Sequence, residues 1–423
     1  MPASFNPETG ENIKWTADLG SKNYSSPIVA EGCVFIGANN ASPRDPRHEG
    51  DRAILLCLEE QTGRLRWQLV CPRLRWDNDI YLDWPQIGMC SPPTVENGYV
   101  YVVTNRFEVV CLDIDGMADG NDGPFVDEGR HMVPEGDPPL DVTPIDADIV
   151  WLFDLPSQAP MWPHDGAHIA ILIDGNYLYL NSGNGVDNTH KTIRRPEAPG
   201  LIVLDKRTGE YVARDYEQTA PDTFHSTWSP PAMAEVNGVK QVFFCGGNGV
   251  VYSFRALPQD YAGPRPAKLE LLWKFDFDPS APKEDIHSYL RNRRESPSNI
   301  LSAPVFYDNR LYVTGGGDIW WGKEQAWLKC IDPTGEGDVT DSALLWSYEL
   351  SKHCCSTVAI RDDLLFVADC GRLVHCLDAN TGKPYWTHEM RGDAWGSTLV
   401  ADGKVYVGSR RGDFWIFQAS KEK

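Results

Sequence analysis

Three things are scarce in this sequence, and each scarcity removes a class of function. No apolar run approaches the roughly 18 residues that a membrane-spanning helix needs. The opening MPASFNPETGENIKW is polar throughout, without the apolar core of a leader. Positive charge is short: 39 Lys and Arg stand against 60 Asp and Glu, and the net charge of -21 repels nucleic acid and anionic membrane surfaces alike. Long helix-period patterns are few, which leaves a Rossmann nucleotide site nowhere to sit. No phosphate loop, Ser/His/Asp order or paired-carboxylate spacing stands out.

What the chain has is a repeated β unit. In the stretch from Leu373 to Phe417 a strand ends in Cys-Leu-Asp, a Thr-Gly turn follows, and a second strand opens on an aromatic residue. Two more strands are then joined by Asp402-Gly403, a pair suited to the positive φ angles of a two-residue hairpin. The same hairpin marker recurs at Glu31-Gly32, Asn97-Gly98, Asp174-Gly175, Asn237-Gly238, Asp308-Asn309 and Asp362-Asp363. About half a unit later comes Cys57-Leu58-Glu59, Cys111-Leu112-Asp113, Val203-Leu204-Asp205, Cys330-Ile331-Asp332 or Cys376-Leu377-Asp378. An aromatic follows each of these: Trp67, Trp151, Tyr211, Trp346 and Trp386. A small sheet that cannot bury both faces alone, repeated radially, gives a β-propeller.

The expected fold is therefore all-β, a seven-bladed β-propeller of four-stranded antiparallel blades in one domain. The blades run at about 20–66, 67–150, 151–210, 211–272, 273–345, 346–385 and 386–423, with a strand at 12–19 closing the last. Cysteine at a repeated strand position, as at Cys57, Cys111, Cys330 and Cys376, is most simply a small buried apolar residue rather than part of a disulfide framework.

The pattern Leu-Asp-x-x-Thr-Gly-x-x-x-Trp, seen in LDANTGKPYW and in variant form in LEEQTGRLRW and LDKRTGEYVA, resembles the repeat of the pyrroloquinoline-quinone (PQQ)-like propellers. That superfamily includes the quinoprotein alcohol dehydrogenases and the outer-membrane assembly factor of the BamB type. The resemblance covers nearly the whole chain as repeats and implies an exported, periplasmic location, the leader being absent from this chain. It also raises PQQ and calcium as cofactors. The vicinal pair Cys354-Cys355 resembles the vicinal disulfide that the dehydrogenases stack on their quinone. No Glu/Asn/Asp set matches their calcium ligands and base, and they carry eight blades, so no catalytic residue is carried over.

Loop lengths point to one face. The long connections include 39–51, 71–89, 156–168, 182–200, 215–228, 279–300 and 315–325, and by this assignment they share a side of the ring. That face gathers arginines, among them Arg73, Arg75, Arg194 and Arg410, in an otherwise acidic protein, a composition suited to a carboxylate or sulfate ligand. Around the channel mouth the alignment of units places Tyr24, Trp228, Cys355 and Trp395, with His225 and His353 just above and Cys354 beside them. Such a set can stack on a planar ring or sugar, or plug the channel by packing.

His164, His168, His190 and Arg194 join this candidate site. The spacing of His164 and His168 suits a metal only on a helix, which the neighbouring Pro163 and Gly166 oppose. On the opposite face, Asp113, Asp115, Asp119 and Asn121 offer alternating oxygen ligands for a structural calcium ion.

The functional expectation is a binding module or scaffold that takes a small-molecule, glycan or protein ligand through its long-loop face. The alternatives are a PQQ-dependent oxidoreductase and a polysaccharide-acting lyase or hydrolase using His and Tyr as its acid/base pair.

Overall fold

Each hairpin marker becomes the tight turn between the first two strands of one antiparallel sheet. Both residues of Glu31-Gly32, Asn97-Gly98, Asn237-Gly238, Asp308-Asn309, Asp362-Asp363 and Asp402-Gly403 have positive φ, the geometry that matches the twist of the flanking strands. These features come from a computed structural model that describes residues 1–76 and 79–423. The chain forms two compact units. One comprises Pro7–Gln218 with Gln259–Lys268, and the other Met1–Asn6, Thr219–Pro258 and Leu269–Lys423.

The first unit holds three sheets. In the first, Ile28–Ala30, Cys33–Asn39, Arg52–Glu59 and Leu65–Pro72 lie side by side in chain order. The second repeats the arrangement with Thr94–Glu96, Tyr99–Val103, Glu108–Asp113 and Ile149–Asp154. The third does so with Leu172–Asp174, Tyr177–Asn181, Leu201–Asp205 and Tyr211–Arg214, and gains Ala267–Lys268 as a parallel outer strand. The facing surfaces of the first two sheets form a continuous core through Phe35, Leu55, Trp67, Leu69, Val100, Val110 and Ile149.

The second unit holds four sheets. They start at Ala232–Val236, Ser298–Asn299, Ala359–Arg361 and Leu399–Ala401, and the last has three strands, ending with Phe414–Gln418. Phe243, Trp273, Phe275, Ile300, Leu311 and Val313 fill one inter-sheet core, and Phe366, Val374, Trp386, Val405 and Val407 another.

Two boundary expectations are corrected. The aromatic-led strands do not open a new blade but are the outer strands of the sheet just completed: Trp67 stands opposite Cys57, Trp151 opposite Cys111, Trp346 opposite Cys330 and Trp386 opposite Cys376. The limits set near 66, 150, 210, 272, 345 and 385 therefore fall at or inside those strands, because the Thr-Gly turn is a tight reversal within one sheet. Residues 12–19 also form no strand on the last sheet. Trp15 instead packs on the first sheet with Ala17 and Leu19, its Nε1 donating to Glu60 O at 2.9 Å. Residues 1–6 lie against the last sheet, where Phe5 meets Phe414 edge-on and Tyr406 donates its hydroxyl to Pro2 O.

The repeated tryptophan has a defined task. Trp67, Trp151 and Trp346 donate Nε1 to the Ile114, Lys206 and Ala379 carbonyls, each after the third strand of the next sheet, and Trp386 donates to Ser420 O, just past the last strand. A buried indole satisfied in this way locks neighbouring sheets together and contributes on the order of 2–3 kcal/mol through burial alone.

Candidate functional site

In the second unit the strand Arg310–Gly317 delivers Asp318 to the start of a loop that folds back on it. Asp318 Oδ1 accepts the backbone N–H groups of Trp320 and Trp321 at 2.9 and 2.8 Å, while Oδ2 accepts Asn299 Nδ2 at 2.9 Å and faces His225 Nδ1 at 3.0 Å. Both His225 and Asp318 are fully buried. Burial pushes the Asp318 carboxyl up, but the charge and hydrogen bond of His225 with the two loop amides outweigh it and hold the group below its usual range. An ionised carboxylate only accepts, so Nδ1 of His225 carries the proton.

Three indoles pack beside this pair. Trp228 and Trp320 each meet the His225 ring at 5.3 Å, Trp228 meets Trp320 at 5.6 Å and 87°, and Trp320 meets Trp395 at 5.4 Å and 90°. The Arg410 guanidinium covers the Trp395 ring at 3.9 Å. Trp320 and Trp395 are half-buried, and Trp395 Nε1 is buried without a hydrogen-bond partner. Below them Lys323, itself buried, is paired with Asp278 at 2.5 Å, and His353 donates Nε2 to Lys323 O at 2.7 Å. Burial holds His353 below its ordinary pKa, which keeps it the neutral donor.

The vicinal cysteines face different neighbours. The Cys354 thiol is turned to Ala368 O and Ser356 O, at 3.4 and 3.6 Å. Cys370 is the main influence on the Cys355 thiol and, with burial, pushes it well above its ordinary value. Both vicinal cysteines are free thiols.

The first unit gathers the other expected residues. Tyr24 meets His168 edge-on at 6.3 Å, and burial holds His168 below its ordinary pKa. His164 and His190 lie 4.9 Å apart, with Tyr81 stacked on the former at 5.7 Å and edge-on to the latter at 4.7 Å. Arg194 covers Trp162 at 4.2 Å and reaches Asp187 at 3.4 Å. His164 and His168 sit on irregular backbone, as Pro163 and Gly166 suggested.

On the calcium loop, the ligand oxygens of Asp113, Asp115 and Asp119 lie within 4.8 Å of one another. Arg66 already pairs with Asp115 at 2.6 Å, and Asn121 donates its amide to Glu128 at 3.0 Å.

Sequence reasoning missed Trp320, Asn299, Cys370 and Tyr81. Trp320 alone had a readable signal, since GGGDIWW places a carboxylate and two indoles directly after a strand.

Residues 324–421 match the family model described as outer membrane protein assembly factor BamB. No curated protein matches the chain in sequence. Among solved structures, BamB from Moraxella catarrhalis is similar at 13% identity and a TM-score of 0.51, over 97% of this chain and 89% of that one. A quinohemoprotein alcohol dehydrogenase from Pseudomonas putida HK5 is similar at 14% identity and a TM-score of 0.51, over 90% of this chain and 61% of that one. A europium-containing methanol dehydrogenase is similar at 11% identity and the same TM-score, over 92% of this chain and 72% of that one.

The fold is thus an all-β propeller. The family match covers residues 324–421, and beyond them the likeness is one of fold. Among the described residues no helix is long and apolar enough to cross a membrane.

Proposed function

We propose that the chain is an exported ligand-binding propeller module, and that the second unit binds a flat, ring-bearing ligand against Trp320 and Trp395. The observation that carries this reading is the half-buried pair of indoles held at right angles, with Arg410 over one of them and Trp395 Nε1 lacking a partner. Perpendicular indoles offer a face and an edge to one planar guest, and a guanidinium beside them favours an anionic substituent. The buried His225–Asp318 pair fixes the loop that carries Trp320 and supplies the rigidity such a site requires.

A PQQ-dependent oxidoreductase is the second reading, favoured by the same aromatic and cationic surroundings and by likeness in fold to two dehydrogenases. In this reading the vicinal pair Cys354-Cys355, both free thiols, would be the platform for the quinone.

One experiment separates the two. Tryptophan fluorescence is titrated with PQQ, with and without calcium, and with planar anionic and neutral ring compounds, in the wild type and in Trp395→Ala. Quenching that vanishes in the variant, with no alcohol-dependent dye reduction, supports the binding module. Dye reduction that requires PQQ supports the oxidoreductase, and the absence of quenching by every ring compound sinks both.

A further inference from the structure

The first unit holds a cleft of about 780 Å³ that the site above does not include. In a protein of net charge -21, five of its lining residues are arginines: Arg52, Arg73, Arg75, Arg106 and Arg130. Two of them are committed within the fold. Arg106 pairs with Glu108 at 2.9 Å, and Arg130 donates to the Val133, Pro134 and Asp137 carbonyls.

The other three keep unused donors. Arg52 donates Nη1 to Asp51 O, but its Nε is buried with no hydrogen-bond partner. Arg73 donates Nη2 to Asp83 O and is ion-paired through its buried Nε with Asp51 Oδ2 at 3.4 Å, a contact without hydrogen-bond geometry. Arg75 is exposed and has no hydrogen-bond or ion-pair partner among the described residues. Next to it, Trp76 exposes 36% of its surface and leans on Trp162 at 6.4 Å.

Buried guanidinium donors left unused are costly, on the order of 1–3 kcal/mol each, unless an acceptor arrives. Oxyanions are the acceptors that match a guanidinium fork. The wall also carries the carboxylates Asp51, Glu108, Asp127 and Glu135, the first two beside Arg73 and Arg106, and the exposed indole, whose flat face suits the C–H face of a pyranose ring. A cleft of this size holds a short oligosaccharide. An acidic peptide would instead call for apolar side-chain pockets or an open strand edge, and the cleft offers Trp76 and Phe125 as its aromatic surfaces.

From the unused guanidinium donors of Arg52, Arg73 and Arg75 beside the exposed Trp76, we propose that this cleft binds an acidic oligosaccharide, its carboxylate or sulfate groups held by the arginines and one sugar ring stacked on the indole. This site is independent of the aromatic site in the second unit. The overall charge of the protein opposes the ligand, so local guanidinium contacts must outweigh that repulsion, and added salt weakens those contacts by screening.

The test is calorimetric titration of the full chain at low salt with four probes: an oligogalacturonate, a sulfated oligosaccharide, a neutral oligosaccharide of equal length and poly-glutamate. Binding of either acidic sugar is expected, with the two arms telling carboxylate from sulfate, and with no heat from the neutral sugar or the peptide. Arg75→Ala should weaken that binding about tenfold, the equivalent of roughly 1.4 kcal/mol for one charge-assisted contact. Trp76→Ala should weaken it as well, and neither exposed residue is needed for folding, which circular dichroism would verify. The proposal is overturned if neither acidic sugar binds, if poly-glutamate binds as tightly, or if Arg75→Ala leaves the affinity unchanged.

Discussion

The indole of Trp346 lies directly under Gly382, where an added Cβ would stand 2.5 Å from Cε3. Gly382 belongs to the Thr-Gly turn of the next sheet and has φ of +70°, so two demands meet at one residue. Gly63 over Trp15 and Gly209 over Trp151 repeat the relationship. Gly382→Ala should cost about 2–4 kcal/mol, combining left-handed strain with a clash against a packed ring. Gly412 also has positive φ but open space around it, so Gly412→Ala should cost only about 1 kcal/mol. Urea unfolding of the two variants checks the difference, and equal losses would remove packing from the explanation.

That relationship explains why the fold was legible. The Thr-Gly and the tryptophan four residues after its glycine are readable because each satisfies a local need and a contact between sheets at once. The hairpin pairs are readable because few residue pairs accept two positive φ angles. Strand ownership was less legible, since spacing alone does not say whether Trp67 pairs backward to Cys57 or opens the next sheet. The candidate site was legible only as residue types. Asp318 meets His225 across 93 residues, and Cys370 acts on Cys355, relationships that no local pattern encodes.

The His225–Asp318 pair makes an acid-side prediction. The Asp318 carboxyl is held below its usual value, so its contribution is fully present above the unfolded pKa of about 4 and is lost as pH falls through the folded one. Asp318→Asn removes the charge while keeping an acceptor, and should cost about 3 kcal/mol at pH 7, with the gap to wild type narrowing below pH 4. Nitrogen-15 spectra of the imidazoles should show the Nδ1–H form of His225 in the wild type. Retention of that form and of full stability in the variant would count against the assignment.

Asp83 runs the other way. It is buried, accepts Leu74 N–H and Asn105 Nδ2, and lies under the segment that carries Arg73 and Arg75. Burial raises its pKa to about 7 against the pull of Asn105, Leu74 and Arg73. Because the folded value lies above the unfolded one, its contribution is complete below about pH 4 and is lost as pH rises toward 7. Wild type minus Asp83→Asn stability should therefore fall by up to about 4 kcal/mol from pH 4 to pH 7. A flat difference across that window, measured by denaturant midpoints, would show that Asp83 is ionised throughout.

Cys355 and Cys370 are placed to oxidise together. Cys370 acts most strongly on the Cys355 thiol, both are half-buried, and Cys354 is turned to the Ala368 carbonyl. Treatment with diamide should join Cys355 to Cys370, the two thiols giving up two electrons and two protons to the diazene. The reaction should be slow at neutral pH, because the raised Cys355 pKa leaves little thiolate, and faster as pH rises. Peptide mapping should find the Cys355–Cys370 link in the wild type and lose it in Cys370→Ser, while Cys354 stays alkylatable after unfolding. A Cys354–Cys355 link in its place would count against the Cys370 partnership and favour the quinone platform.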